Sequence, residues 1–247
     1  MCETCGCSIP DHNHPAAPDS ETVEVLKGLM DSNDQAAAHN RAHFDRAGVL
    51  TINLMSSPGA GKTRLLEETA RELSGRLGIA VIEGDLETEN DANRLRAGGI
   101  RAHQITTGSA CHLDAHMVHQ ALHEFPLEHD GRGTDILFIE NVGNLVCPAA
   151  FDLGQHLNVV LLSTTEGDDK PAKYPVMFRA ADLVVISKAD LLPVLDDFSL
   201  ERAQDAMHQI GLNTPVLQSA IGRQTDTRAW IGWLEQQLEQ HRARTAA

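Results

Sequence analysis

Aromatic side chains are scarce in this chain of 247 residues, which carries six Phe, two Trp and one Tyr. So few rings leave little with which to stack the bases of a single strand. Basic residues are also short: 20 Lys and Arg stand against 35 Asp and Glu, a formal net charge of −15. That balance excludes phosphate neutralisation along a nucleic acid as the main task and disfavours an anionic membrane surface. No apolar run approaches the roughly 18 residues of a membrane span, and no signal-peptide pattern opens the chain. A disulfide framework is missing too. The five cysteines are odd in number and uneven, with Cys2, Cys5 and Cys7 crowded together and Cys111 and Cys147 far apart. The expectation is a reducing, cytoplasmic setting in which clustered thiols bind metal or do redox work. Against these shortages stand 13 histidines, an excess that points to imidazole chemistry.

The length suits one large α/β domain with a core of its own. Residues 1–20, with three Cys, three Pro, His12 and His14, read as a flexible Cys/His arm, and residues 21–48 as a helical lead-in of one or two helices ending near Gly48. In residues 49–247, apolar runs alternate with helix-like segments: Val49 to Met55, Ile79 to Glu83, Asp135 to Glu140, Asn158 to Ser163, Leu183 to Ser187 and Pro215 to Ser219, with Arg101 to Ile105 a weaker seventh. Continuous Val/Ile/Leu runs suit strands buried on both faces, so the expected fold is a doubly wound, mostly parallel α/β sheet of about seven strands. A last helix from about Asp226 to His241 places Trp230, Trp233, Leu234 and Leu238 against it. Ligands of such a sheet sit at the carboxyl ends of its strands.

Ser57-Pro58-Gly59-Ala60-Gly61-Lys62-Thr63 follows the first strand directly and precedes a helical stretch beginning at Arg64. This is the setting of a phosphate-binding loop, in which glycines turn successive N–H groups toward one anion, Lys62 reaches the β/γ-phosphates and the Thr63 hydroxyl holds Mg²⁺. Ser56 stands where the general pattern has its first glycine. Ser187-Lys188-Ala189-Asp190 resembles the Asn-Lys-x-Asp element of GTPases, with Ser187 in place of Asn. The Asp190 carboxylate can accept from guanine N1–H and the exocyclic amine, which favours GTP over ATP. Ser219-Ala220 resembles the further loop that closes over the base. Among strand-end acids, Asp85 is expected to orient Mg²⁺ or the attacking water, and Glu140 with the Gly143 amide to sense the γ-phosphate.

Cys2, Cys5 and Cys7 can wrap one borderline divalent ion, with the α-amine, His12 or His14 as a fourth ligand; spacing alone does not separate Ni²⁺ from Zn²⁺. Thr107 to His112 reads as a capped helix start that puts Cys111 in the first turn. Cys147 lies four residues past Gly143. A metal held by Cys111, His112 and Cys147 would therefore be joined mechanically to the nucleotide state. On a helical projection His112, His116, His119 and His123 share one polar face, opposite Leu113, Met117, Val118, Ala121, Leu122 and Phe125; this row reads either as solvated surface or as added low-affinity nickel capacity.

The string Cys-x-x-Cys-Gly-Cys, Ser-Ser-Pro-Gly-x-Gly-Lys-Thr, Glu-Gly-Asp, Cys-His-Leu-Asp, Glu-Asn-Val-Gly-Asn-Leu-Val-Cys-Pro and Asp-Lys-Pro-x-Lys-Tyr-Pro (169 to 175) resembles the HypB family of hydrogenase nickel-incorporation GTPases over nearly the whole chain. The resemblance implies a SIMIBI-class P-loop GTPase fold and a homodimer linked to GTP or metal. It also implies a tight nickel site at Cys2, Cys5 and Cys7 and a weaker interface site at Cys111, His112 and Cys147, with Zn²⁺ able to take the same positions. Its partners would be other hydrogenase maturation factors and the apo-hydrogenase large subunit. Lys170 and Lys173, isolated basic residues in an acidic chain, read either as surface lysines or as facing a second subunit's nucleotide in such a dimer. Three other readings remain: a nickel or zinc buffer with a regulatory nucleotide site, an ATP-dependent kinase or transporter ATPase, and a urease-accessory GTPase. For the last a Cys-Pro-His motif is expected, whereas Ala149 follows Cys147-Pro148 here.

Overall fold

A computed structural model describes residues 20–129, 132–221 and 226–245. In chain order the elements are α1 (Ser20–Ala47), β1 (Leu50–Ser56), α2 (Lys62–Leu73), β2 (Ile79–Asp85), α3 (Asn90–Ala97), β3 (Arg101–Thr106), α4 (Ala115–Glu124), β4 (Glu128–His129), β5 (Arg132–Gly133), β6 (Ile136–Glu140), β7 (Leu157–Ser163), α5 (Lys170–Lys173), α6 (Pro175–Arg179), β8 (Leu183–Ser187), α7 (Leu200–Gln209), β9 (Val216–Gln218) and α8 (Arg228–Thr245). Short 3-10 turns occupy Cys147–Ala150 and Ala189–Val194. No described helix is long and apolar enough to cross a membrane.

Every residue of β1 is buried, which requires cover on both faces and a central position. The main sheet runs β3-β2-β6-β1-β7-β8-β9, and all seven strands are parallel. The seventh, weaker run is the edge strand β3, half-buried along most of its length, and so without a continuous apolar signature. The two-residue strands β4 and β5 form a separate antiparallel hairpin too short for any periodicity to announce.

Strand residues alternate between two layers. Leu50, Ile52 and Leu54 face α2 and α8 with Leu65, Leu66, Trp230 and Leu234. On the other face Ile82, Leu137 and Ile139 meet Phe44 and Val118, and farther along Val160, Leu162 and Ile186 meet Phe178 and Met207. Trp230 is fully buried and its Nε1–H donates to Thr69 Oγ1 at 2.8 Å. Truncating such a side chain to Ala costs about 3–5 kcal/mol.

The lead-in is one continuous helix, α1, fastened by buried amides. Asn40 Nδ2 donates to the carbonyls of Ala115 and Leu153, and Asn33 exchanges bonds with Asp152 and Ala115. Gly154 (φ +90°) lies so close that an added Cβ would sit 2.6 Å from the Ala37 carbonyl; only glycine fits there. The arm with Cys2, Cys5, Cys7, His12 and His14 lies outside the described residues.

Candidate nucleotide and metal site

Both sites lie at the carboxyl ends of the strands. Between β1 and α2 the chain turns through Gly59 (φ +74°) and Gly61 (φ +100°), left-handed conformations with open space where a side chain would stand. Gly61 leads directly into α2, which begins at Lys62 rather than Arg64. Lys62 is buried, and its Nζ donates to Ser56 Oγ at 3.1 Å. The serine in place of the usual glycine thus holds the lysine at the loop.

Thr63 Oγ1 donates to Glu140 Oε1 at 2.9 Å. Glu140 lies with Glu83 and Asp91, one oxygen of each within 4.8 Å of the others. Burial, then the charges of Glu140, Asp85 and Asp91, push the Glu83 carboxyl up to about 8; burial pushes Glu140 up to about 7 against the pull of Lys62 and Thr63. Glu83 Oε2 and Glu140 Oε2 are buried without a hydrogen-bond partner. A hard cation beside Thr63 would satisfy these oxygens, so the donor set fits Mg²⁺. Asp85 is arranged differently. Its carboxylate accepts from Leu86 N–H at 2.7 Å and the Thr88 hydroxyl at 2.5 Å. Burial works against its charge, but these bonds and Lys62 outweigh it and hold the carboxyl below the usual range. Glu83 and Asp91 were not singled out in sequence; an acid inside the apolar run Ile79–Asp85 was the available signal for Glu83.

A cavity of about 430 Å³ opens beside the phosphate loop, lined among others by Ala60, Arg64, Lys188, Asp190, Ser219 and Ile221. Ser187 Oγ donates to the Ala60 carbonyl at 2.6 Å, and Lys188 Nζ donates to that of Gly59 at 2.9 Å. The base loop is thereby tied to the phosphate loop, with Ser187 supplying one tether despite its departure from Asn. Lys188 takes φ +56°, a strained value for a long side chain that sets Asp190 at the start of the next turn. Ala220 lies beside the cavity, bridged to Asp226.

Cys111, His112 and Cys147 converge from two loops, with their ligand atoms within 4.8 Å of one another. The sulfurs are 3.2 Å apart, both cysteines are free, and His112 Nδ1 is 3.7 Å from Cys111 Sγ. The hydrogen bond with Cys111, and then burial, push the Cys147 thiol up; burial lowers His112 against the pull of Asp114. The His112 ring stacks on Phe151 at 4.1 Å between centroids. Two sulfurs and one neutral nitrogen suit a borderline ion such as Ni²⁺ or Zn²⁺.

Cys111 is not in the first turn of a helix, as the sequence suggested. Asp114 caps α4 by accepting from Met117 N–H at 2.8 Å, so the helix starts at Ala115. The Thr107 hydroxyl instead donates to the Ala110 carbonyl at 2.7 Å. The loop so formed lies against the segment that follows Glu140. Asn141 Oδ1 accepts from Leu113 N–H, Asn144 Nδ2 donates to the Cys111 carbonyl, and Gly143 lies so close to Pro58 that a Cβ would meet its Cα at 2.8 Å. One segment therefore touches the phosphate loop through Gly143, Thr63 through Glu140, and the thiol pair through Asn144 and Cys147. Lys173 pairs with Asp169 at 2.5 Å, and Lys170 Nζ lies 5.4 Å from the Tyr174 ring centroid.

The family model of the CobW/HypB/UreG nucleotide-binding domain matches residues 50–218, from the first residue of β1 to the last of β9. A hydrogenase maturation factor HypB from Rhizobium leguminosarum bv. viciae is 56% identical over 182 residues, 74% of this chain and 60% of that protein. One from Escherichia coli K12 is 45% identical over 223 residues, 90% of this chain and 75% of that protein. Among solved structures, HypB from Helicobacter pylori in complex with nickel superposes with a TM-score of 0.78 at 42% identity, covering 87% of this chain and 97% of that one. With the family domain spanning the whole sheet and close relatives extending beyond it, this chain belongs to the HypB family of hydrogenase maturation factors.

Proposed function

We propose that the protein is a GTP-hydrolysing nickel metallochaperone that binds Ni²⁺ and releases it toward an apo-hydrogenase large subunit under control of nucleotide state and dimerisation. The observation that carries this reading is the segment from Glu140 to Cys147, which contacts both the phosphate loop and the thiol pair. The nickel named with the Helicobacter pylori relative and the hydrogenase role named with the curated relatives support the choice of cargo and destination.

The reaction is attack of water on the γ-phosphorus of GTP, giving GDP and phosphate. The loop N–H groups and Lys62 bind and orient the phosphates, and Asp190 selects guanine. Thr63 with Glu140, and with Glu83 or Asp85 nearby, would hold Mg²⁺, which supplies charge neutralisation across the β- and γ-phosphates. In that role Thr63 and Glu140 would turn to the ion the oxygens that now bond to each other. Asn141, Asn144 and Cys147 follow in the same segment, so the geometry of the Cys111–His112–Cys147 site changes with the nucleotide. Cys2, Cys5 and Cys7 on the arm provide a second, tighter nickel site. In a dimer, Lys170 and Lys173 reach toward the partner's nucleotide.

Titration of Ni²⁺ into the full chain and into Cys111→Ser, each with GDP and with a non-hydrolysable GTP analogue, tests the coupling. The expected result is a nickel affinity that differs about 5- to 150-fold between nucleotide states, the usual range for linked sites, and no difference in Cys111→Ser. Equal affinities in both states would reduce the protein to a metal buffer with a separate nucleotide site. Equal competition by ATP and GTP would overturn the guanine assignment.

A further inference from the structure

The sequence placed His112, His116, His119 and His123 in one row; the structure divides and enlarges that set. His112 precedes the helix and belongs to the thiol site. The other three lie on α4, where it packs against α1, and α1 brings His39 and His43 to the same seam. His119 Nε2 and His123 Nε2 are 3.2 Å apart, with their rings crossed at 83°. Two imidazoles bound side by side to one ion, at metal–nitrogen distances of about 2.0–2.1 Å, hold their nitrogens about 3.0–3.4 Å apart. The pair already has that spacing, one helical turn apart on a single face.

The tautomer of His119 is settled by its neighbour. Asn40 is fully buried, and its amide nitrogen donates at 2.8 Å to the Ala115 carbonyl and at 3.1 Å to that of Leu153. Its oxygen is then what faces His119 Nδ1 at 3.3 Å. An amide oxygen only accepts, so Nδ1 carries the proton and the lone pair is on Nε2, directed toward His123. Histidines that bind metal are held in this way, with the second ring nitrogen donating to a fixed oxygen. His39 lies beside the pair on α1, its ring edge-on to His119 with centroids 4.9 Å apart. His123 and His39 are exposed, which gives an ion access from solvent.

We propose that His119 and His123 form a two-imidazole site for a borderline divalent transition ion, with its remaining positions open to solvent, separate from the Cys111–His112–Cys147 site. Neutral nitrogen donors without thiolate or carboxylate select Ni²⁺, Zn²⁺ or Cu²⁺ over Mg²⁺ and Ca²⁺. The site does not depend on the nucleotide reading above.

The test uses the full chain with Cys2, Cys5, Cys7, Cys111 and Cys147 all changed to Ser, titrated with Ni²⁺ alone and with Zn²⁺ alone. The expected result is one ion bound without the sulfur-to-nickel absorption bands of the parent, and a melting temperature that rises with metal concentration. Adding His119→Gln and His123→Gln removes both ligands and should weaken binding by more than the about 10- to 100-fold that follows loss of an outer-shell partner, and should abolish the thermal shift. Exposed His123→Gln alone should weaken it in the same direction, which guards against misfolding of the double variant. Undiminished affinity and thermal shift after both substitutions would overturn the site, as would failure of the cysteine-free chain to bind either ion.

Discussion

The two ends of the parallel sheet treat their carboxylates in opposite ways. At the amino ends of the strands, Asp135 accepts from Gly78 N–H at 2.6 Å and pairs with Arg242, and Asp182 accepts from Asn158 N–H at 2.7 Å. His156 takes Thr51 N–H on Nδ1 at 2.9 Å and meets Asp45 through Nε2 at 3.0 Å. Each of these groups is matched, and each pins a strand to the loop beside it. At the carboxyl ends, Glu83 and Glu140 are buried, where Asp135 is half-buried and Asp182 and Asp45 are exposed, and each keeps an oxygen without a partner. A buried polar group left unmatched costs free energy that a purely structural role gives no reason to retain. Among the carboxylates the difference separates scaffold from candidate site: those of the finished, amino end tie strands to loops, and those of the unfinished, carboxyl end are left able to take a cation.

Removing the binding groups of the unfinished end should have the largest effect. Lys62→Ala is expected to lower GTP turnover by about 10²- to 10³-fold, the usual cost of losing a group that stabilises charge in the transition state, with the fold intact by circular dichroism. Full activity in this variant would remove the phosphate loop from the mechanism. The next effect asks whether that end communicates outward. Asn144→Ala removes the bond to the Cys111 carbonyl while leaving both sets of ligands in place. Nickel affinities measured with GDP and with a GTP analogue should then converge, erasing most of a difference expected at about 5- to 150-fold. A difference as large as in the parent would assign the coupling to another route.

The unmatched carboxylates themselves should show as a pH dependence. Glu83 and Glu140 in the folded protein titrate at about 8 and about 7, above the usual 4.5. The native state therefore keeps protons that the unfolded chain has already lost, and its stability falls as pH rises from about 4.5 through 8. Glu83→Gln should raise the melting temperature of the nucleotide-free protein at pH 8 by about 2–4 °C, the shift that accompanies 1 kcal/mol in a chain of this size. The same substitution should weaken Mg²⁺-dependent nucleotide binding. A lower melting temperature at pH 8 would mean that the carboxylate is matched after all.

What could be read from the sequence followed from how strongly each element declares itself locally. Fully buried strands such as Leu50–Ser56 and Leu183–Ser187 are continuous apolar runs and cannot be mistaken for surface. The half-buried edge strand Arg101–Thr106 is only faintly marked. The left-handed turn through Gly59 and Gly61 ahead of Lys62 was legible because glycines mark such a turn within the chain itself. The helix start near Cys111 was misplaced because Thr107, Ser109 and Asp114 are all capping residues, and a local bond to Ala110 and a tertiary one to Asp85 engage Thr107 elsewhere. The carboxylate cluster was only partly visible, since Asp91 reaches it from α3 and Glu83 from β2. The histidine seam was half visible for the same reason: period marks one face of α4, but no local pattern shows that α1 lies against it.

The smallest expected effect tests the finished end. Burial lowers His156 to about 4, against the pull of its hydrogen bond with Asp45. With Nδ1 accepting from Thr51 N–H, Nε2 is the protonated nitrogen, and a second proton would have no acceptor left to meet it. The unfolded chain takes up that proton near pH 6.5, whereas the folded protein does so only near 4, so this group's contribution to stability falls as pH drops from about 6.5 to 4. His156→Gln cannot be protonated, and its carboxamide can still pair with either neighbour. Its melting temperature should lie slightly below the parent's at pH 7, by about 2 °C for the weakened bonds, and should decline less steeply toward pH 4.5. Parallel melting curves across that range would show that the acid sensitivity arises elsewhere. A steep loss of GTP binding in the same variant would show that the amino end is part of the site, and the division between the two ends would not hold.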